Sequence, residues 1–226
     1  YHKVERATRR SAVPGHYVSP SLFRKQMVIL TALGYSSIPL SHVHRPDLKL
    51  PRKPIVITFD DGYENFFTQA LPILNGQKFV STVFLVGNQL GGTNLWDHRE
   101  GDQPERLMDI EQIRAARESG TEFGSHTLDH ADLNAVSLDE AWRQIDGSKR
   151  QLERDLGFEI ETFCYPYGRK NPEVMRLVEK AGYRLACSTE KGLNHANTPA
   201  YNLKRINIRR DTSVPVFVLK LLRGAK

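Results

Sequence analysis

An α/β fold built on parallel strands is predicted by two features of the chain. Short runs rich in β-branched and aromatic residues alternate with segments whose apolar residues recur at helical spacing, and the most unusual polar residues follow directly after the strand-like runs. Right-handed strand–helix–strand units of this kind give a parallel sheet covered by helices, as a closed or distorted barrel or as an open doubly wound sheet. In either form ligands meet the carboxyl ends of the strands.

The elements follow in order. In 19–34, Leu22, Phe23, Met27, Leu30 and Leu33 recur at helical spacing, and Gly34 supplies a stop. A Pro-rich stretch, 39–54, leads into 55–59, a run with the look of a buried strand. Helices are then expected over 64–75, 110–119, 138–156, 172–181 and about 214–222, and strands over 80–86, 122–125, 162–165, 184–188 and 205–208. Trp142, in helical register with Ile145 and Lys149, reads as core.

At 226 residues, 39% hydrophobic and 26% charged, the chain is long enough to bury a full core. Sixteen Gly, twelve Pro and a mean hydropathy of −0.47 are ordinary values that argue against a disordered or collagenous chain, and no apolar run approaches the roughly 18 residues of a spanning helix. The formal charge is +6 and the pI near 9.3, a surface that favours polyanions, anionic lipids or an acidic cell wall. The excess is diffuse, densest at Arg6, Arg9 and Arg10 and at Lys204, Arg205, Arg209 and Arg210, without the Gly-aromatic signature of a single-strand RNA reader. Nucleic acid is therefore not an expected partner. Cys164 and Cys187 are too few for a disulfide scaffold and sit in apolar, strand-like runs, which suits buried thiols or one bridge. The sequence opens at Tyr1 without a leader, so a removed signal or anchor stays open.

Three strand ends carry chemistry. The run 55–59 ends in Asp60-Asp61-Gly62, two adjacent carboxylates that a Gly turn can bring to the strand mouth; one Asp would suffice to cap the next helix. The run 122–125 ends in His126-Thr127-Leu128-Asp129-His130, whose histidines share a face if the segment is helical. Two imidazoles with one carboxylate make a three-ligand metal site with positions open for water and substrate, whereas the pair alone could be two surface histidines. The run 162–165 leads into Pro166-Tyr167-Gly168, a rigid turn that can aim a backbone N–H into the mouth or simply begin the next helix.

These motifs, Thr58-Phe59-Asp60-Asp61-Gly62, His126-Thr127-Leu128-Asp129-His130 and Phe163-Cys164-Tyr165-Pro166-Tyr167-Gly168, resemble the first three of the NodB-homology polysaccharide deacetylases, carbohydrate esterase family 4. Tyr1-His2-Lys3-Val4 and the helix 23–33 resemble the lead-in of the bacterial exopolysaccharide and poly-N-acetylglucosamine deacetylases in that family. The resemblance implies a distorted (β/α) barrel in one deacetylase domain over 1–226, with 1–54 as lead-in and 55–226 as catalytic core. It implies Asp60 as general base, and Asp61, His126 and His130 as ligands of a divalent metal, usually zinc, with cobalt, nickel or iron as alternatives. Tyr167 N–H would donate to the oxyanion, and Thr127 would orient the ligand loop.

The chain departs from the family pattern twice. Cys164 stands where an Arg often braces the base, and Arg205 resembles a substitute for it; a solvated Arg on a basic stretch is the plainer reading. No late Leu-x-His motif is present, so His195 is the nearest late histidine for a general acid, or else an ordinary surface-loop residue. Trp96, Tyr63 and Tyr165 are candidates to line a sugar-binding groove, although Trp96 could anchor its loop and Tyr165 could face the barrel wall. The implied substrate is an acetylated amino-sugar polymer handled outside the cytoplasm, with peripheral membrane or cell-wall association and an open oligomeric state. The rivals are an O-acetyl esterase on a glycan such as xylan and a catalytically weak glycan binder.

Overall fold

The computed structural model describes residues 1–7, 11, 13–98 and 104–223; Arg9 and Arg10 of the first basic cluster lie outside them. Helix α1 (Pro20–Ala32) starts where Ser19 Oγ accepts from Leu22 N–H and Pro20 takes the first helical position. It ends just before Gly34, whose φ of 75° turns the chain out of the helix. Strands β1 (Ser36–Ser37) and β2 (Pro54–Ile55) form a separate parallel pair. The main sheet begins with β3 (Thr58–Phe59), followed by α2 (Leu71–Gly76), β4 (Thr82–Leu85), α3 (Leu95–His98), α4 (Ile110–Glu118) and β5 (Glu122–Ser125). It continues through α5 (Leu138–Leu156), β6 (Thr162–Cys164), α6 (Pro172–Lys180), β7 (Leu185–Lys191) and β8 (Leu203–Arg205), and α7 (Val214–Arg223) closes the fold.

All six main strands are parallel in the order β3-β4-β5-β6-β7-β8, curled into a half-barrel flanked by helices. Side chains alternate across each strand. Phe84, Cys164, Leu185, Cys187 and Leu203 form a small apolar cluster within the curl, joined by Leu40. Val83, Leu85, Phe123 and Phe163 instead join the large core that includes buried residues of α2, α5, α6 and α7. The interior is crowded: a Cβ on Gly124 would lie 2.5 Å from Thr162 Oγ1 and 2.7 Å from Phe84 Cδ1. At the amino ends of the strands, the Glu122 carboxylate accepts from Thr82 Oγ1 and from Ser41 N–H. Cys164 and Cys187 are register partners across β6 and β7, both buried as free thiols.

Among the described residues the sheet does not close by backbone pairing, and the amino-terminal segment lies at its β3 edge. Tyr1 N donates to Thr58 O and Asp60 N–H to Tyr1 O, while Lys3 bridges to Tyr17. Val4, Val18, Phe23, Met27 and Leu30 enter the main core, so residues 1–54 share that core with the later elements. At roughly 2 kcal/mol for each large apolar side chain fully buried, Phe23, Met27 and Leu30 commit α1 to it.

Several expected elements differ in detail. The run 55–59 is divided between two sheets, because the chain leaves β1 after Ile55 and joins β4 only from Ile57, whose carbonyl accepts from Thr82 N–H. The expected strand 205–208 ends at Arg205, and β7 runs on to Lys191. The helix expected over 64–75 contains a π-helical stretch, Phe66–Ala70, where one extra residue is accommodated in the turn. The segment 126–130 is a loop rather than a helix, because Thr127 and His130 have φ of 70° and 57°. Trp142 is half-buried with Lys180 Nζ 4.7 Å above its ring.

Candidate active site

Asp60 follows β3 and Arg205 ends β8, so the two edge strands of the curled sheet meet through their side chains. Arg205 donates from Nη1 to Asp60 Oδ1 at 2.6 Å and from Nη2 to Oδ2 at 2.8 Å. Its Nε donates to Ser188 O at 2.9 Å, which fixes the plane of the fork. Burial alone would raise the pKa of Asp60, but Arg205 outweighs it and holds the carboxyl well below the usual carboxylate range. Cys164 Sγ lies 3.2 Å from Arg205 Nη2 and 3.8 Å from Asp60 Oδ1 and completes the pocket around the pair. The arginine missing from the third motif is thus supplied to Asp60 from β8.

Asp61 turns the other way because its own φ is 74°, followed by Gly62 at 76°. Its Oδ1 lies 3.6 Å from His126 Nε2 and 3.4 Å from His130 Nε2, with all three residues buried. His126 Nδ1 is 2.7 Å from Cys164 O, so that nitrogen carries the proton and Nε2 turns its lone pair toward Asp61. Desolvation lowers the pKa of both histidines, which makes them neutral, as ligands must be. Burial, then Asp60 and Asp97, push the pKa of Asp61 up, and Asp61 Oδ1 has no hydrogen-bond donor among the described residues. A carboxylate oxygen buried in this way facing two lone pairs suits a cation, and the three ligand atoms lie within 4.8 Å of one another. These residues fit a divalent metal.

The walls of this group come from other elements. Trp96, on the helical turn α3 rather than on a plain loop, stacks on His130 with centroids 4.6 Å apart and planes at 21°. Tyr167, φ 59°, packs edge-on against His130 at 4.7 Å from the opposite motif and is 47% exposed. Of the six described non-glycine residues with positive φ, Asp61, Thr127, His130 and Tyr167 belong to this site, so the turns at the strand ends carry its strain. Gln144 Oε1 of α5 accepts from Leu128 N–H and Asp129 N–H and holds the ligand loop in place. Thr127 Oγ1 is buried without a described partner.

Three residues sit elsewhere than the groove or acid position expected of them. Tyr63 is buried and donates to Asp97 Oδ2, and Tyr165 is buried beside Phe163 and donates to Tyr201 O. His195 is exposed on the loop after β7, its N–H bonded to Thr198 Oγ1. The imidazole beside Asp60 is His2, with Nε2 3.7 Å from Asp60 Oδ2 and its ring stacked on His16 at 4.2 Å and 9°. Burial, then His16, lower its pKa, while Asp60 opposes them. No local signal in the sequence ties His2 to Asp60; the link is the bonding of Tyr1 to β3.

A parallel half-barrel with a carboxylate–bis-histidine group and an arginine-locked aspartate at its strand mouth defines a deacetylase-type fold and site. The family model of the polysaccharide deacetylases matches residues 47–186, and the chain belongs to that family. It is 28% identical over 171 residues to YxkH of Bacillus subtilis, covering 76% of this chain and 57% of that protein. It is 25% identical over 239 residues to the poly-β-1,6-N-acetyl-D-glucosamine N-deacetylase of Escherichia coli K12, covering 91% of this chain and 35% of that enzyme. The chain thus spans between about a third and somewhat over half of these relatives. Among solved structures, a polysaccharide deacetylase from Bacillus cereus superposes with a TM-score of 0.84 at 25% identity, covering 98% of this chain and 67% of that one.

Proposed function

We propose that the protein is a metal-dependent deacetylase that removes N-acetyl groups from an N-acetylglucosamine polymer, with zinc as the resident ion. The observation that carries this reading is the pairing of an ionised, arginine-locked Asp60 with the adjacent Asp61–His126–His130 group. A relative matched over 91% of this chain is named for deacetylation of poly-β-1,6-N-acetyl-D-glucosamine, which supports the polymer class. In this reading the enzyme works outside the cytoplasm, where such a polymer is met.

A divalent cation held by Asp61, His126 and His130 would polarise the acetamide carbonyl and acidify an attacking water. Asp60 is the base that takes the proton of that water, and Arg205 keeps it ionised and oriented for the task. In this reading Tyr167, whose φ of 59° puts it in a left-handed turn beside His130, gives its backbone N–H to the developing oxyanion. Expulsion of the sugar amine needs a proton, and His2, whose Nε2 lies 3.7 Å from Asp60 Oδ2, carries it in this reading from Asp60 to the nitrogen. Trp96, held against His130, offers an aromatic surface to the sugar ring.

The test is acetate release from β-1,4- and β-1,6-linked N-acetylglucosamine oligomers by chelated protein and by the same protein restored with zinc. Zinc-dependent release is expected, with the β-1,6 oligomer preferred. Stoichiometric zinc binding without release from either oligomer would overturn the reading.

A further inference from the structure

Among the described residues one lysine is completely buried, and the reaction described above does not use it. We infer that Lys3, acting through Asp97, is a positioning residue that holds the His2 segment in register with the turn carrying Asp61. This inference rests on the deacetylase reading for the roles of His2 and Asp61.

Lys3 has no exposed surface. Its Nζ lies 4.6 Å from the ring centroids of both Tyr17 and Tyr63, 3.2 Å from Tyr17 Oη and 3.8 Å from Asp97 Oδ2. Tyr17 Oη passes the polarity on by donating to Glu105 Oε1 at 2.7 Å. A buried ammonium is tolerated only beside a fixed anion and polarised donors or faces, and this set supplies them.

The arrangement does more than neutralise a charge. Asp97 Oδ2 also accepts from Tyr63 Oη at 2.9 Å and from Asn94 Nδ2 at 2.9 Å. Tyr63 lies two residues beyond Asp61, and Lys3 follows His2 directly. A single carboxylate oxygen therefore joins the segment that brings His2 to the base with the turn that presents Asp61. The backbone reinforces the link, since Lys3 N–H donates to His16 O at 3.1 Å and Val4 N–H to Asn65 Oδ1 at 3.0 Å. Because α3 places Trp96 on His130 and Asp97 on Tyr63, the same helical turn touches both sides of the ligand group.

Three variants test this: Lys3→Met, Asp97→Asn and the double variant. Measured on metal-free protein, each single substitution lowers the thermal midpoint, and the double variant is no lower than the worse single. Zinc affinity, followed by competition with a chelating dye, weakens about tenfold in Asp97→Asn and stays within about twofold in Lys3→Met. On oligomer, Lys3→Met lowers kcat at least about tenfold with KM unchanged. The His2 ring resonances, followed by NMR in metal-free protein, shift as that imidazole leaves its stack on His16. Additive midpoint losses, or a Lys3→Met protein with unmoved His2 resonances, overturn the inference. If Lys3→Met alone does not fold, the neutral double variant must restore folding, and its failure to do so also overturns it. The midpoint, zinc and NMR arms need no turnover, so a wild-type protein inert on oligomers sinks the deacetylase reading while these arms still decide the Lys3–Asp97 link.

Discussion

Arg205, on the last strand of the sheet, grips both oxygens of Asp60, just past the first, so the side of the curl left open by the backbone is spanned by the ion pair beside the Asp61–His126–His130 group. Arg205 Nη1 also reaches Thr58 Oγ1 at 3.4 Å, on β3 itself. The pair therefore acts on the electrostatics of Asp60 and on the geometry of the fold together.

Removing the arginine should change the pH dependence. Burial raises the pKa of Asp60 and Arg205 more than reverses it. With its pKa depressed, Asp60 contributes stability that is full above the unfolded carboxylate value of about 3.9 and fades as pH falls below it. In Arg205→Met burial prevails, so kcat/KM acquires a limb that falls as pH is lowered through the raised pKa. Wild-type protein lacks that limb. A pH–rate profile of both proteins checks this, and superimposable profiles would count against the role given to Arg205.

Asp60→Asn should keep zinc binding, because Asp61, His126 and His130 are untouched, while turnover falls at least about 100-fold. The change also leaves a buried guanidinium without its anion, at a cost of about 3 kcal/mol in a denaturant titration. Retention of normal turnover would remove Asp60 from the mechanism.

His2→Gln separates proton delivery from attack. Acetamide hydrolysis should drop by about 100-fold or more, whereas an activated aryl acetate, whose leaving group needs no proton, should lose at most a few-fold. Equal losses on both substrates would place the defect in attack or binding instead.

Zinc should stabilise the fold through the site. At a zinc concentration about 100 times the dissociation constant the gain is about 2.7 kcal/mol, which for a chain of this size raises the thermal midpoint by roughly 5 to 10 °C. His130→Ala should abolish most of that shift. A full shift in His130→Ala would show that the ion binds elsewhere.

Gly124→Ala tests the crowding of the interior. Its Cβ would fall 2.5 Å from Thr162 Oγ1, so the variant should lose about 1–3 kcal/mol although the new residue is small. Calorimetry showing unchanged stability would mean that the curl has slack at this level.

Elements with strong local signals were legible in the sequence. Strand β5 and helix α5 lie where their patterns put them, the latter bounded by the Ser137 cap and by Gly157 at φ 80°. The convergence of the Asp60-Asp61 pair with His126 and His130 was legible too, because polar residues directly after parallel strands meet at one mouth, while the choice of Asp61 between the two carboxylates came from the family resemblance. What was not legible depends on direction or on distant pairing. Tyr165 lies two residues after Phe163 and so faces the same outer layer, away from any groove. Tyr63 is drawn inward by Asp97, from an insert whose helical turn has no periodic pattern long enough to read. His2 lies far from Asp60 in sequence and reaches it only because the chain around Tyr1 lies along β3.

The left-handed residues around the ligands have an evolutionary side. Asp61, Thr127, His130 and Tyr167 occupy a conformation that glycine would accept at no steric cost, and each keeps its side chain there against that preference. A directed-evolution campaign that scored heat tolerance alone would be rewarded for relaxing these positions, and the survivors would be sturdier proteins with a vacated strand mouth. Selection for robustness in this scaffold therefore has to be coupled to a screen that reads the integrity of the Asp61–His126–His130 group.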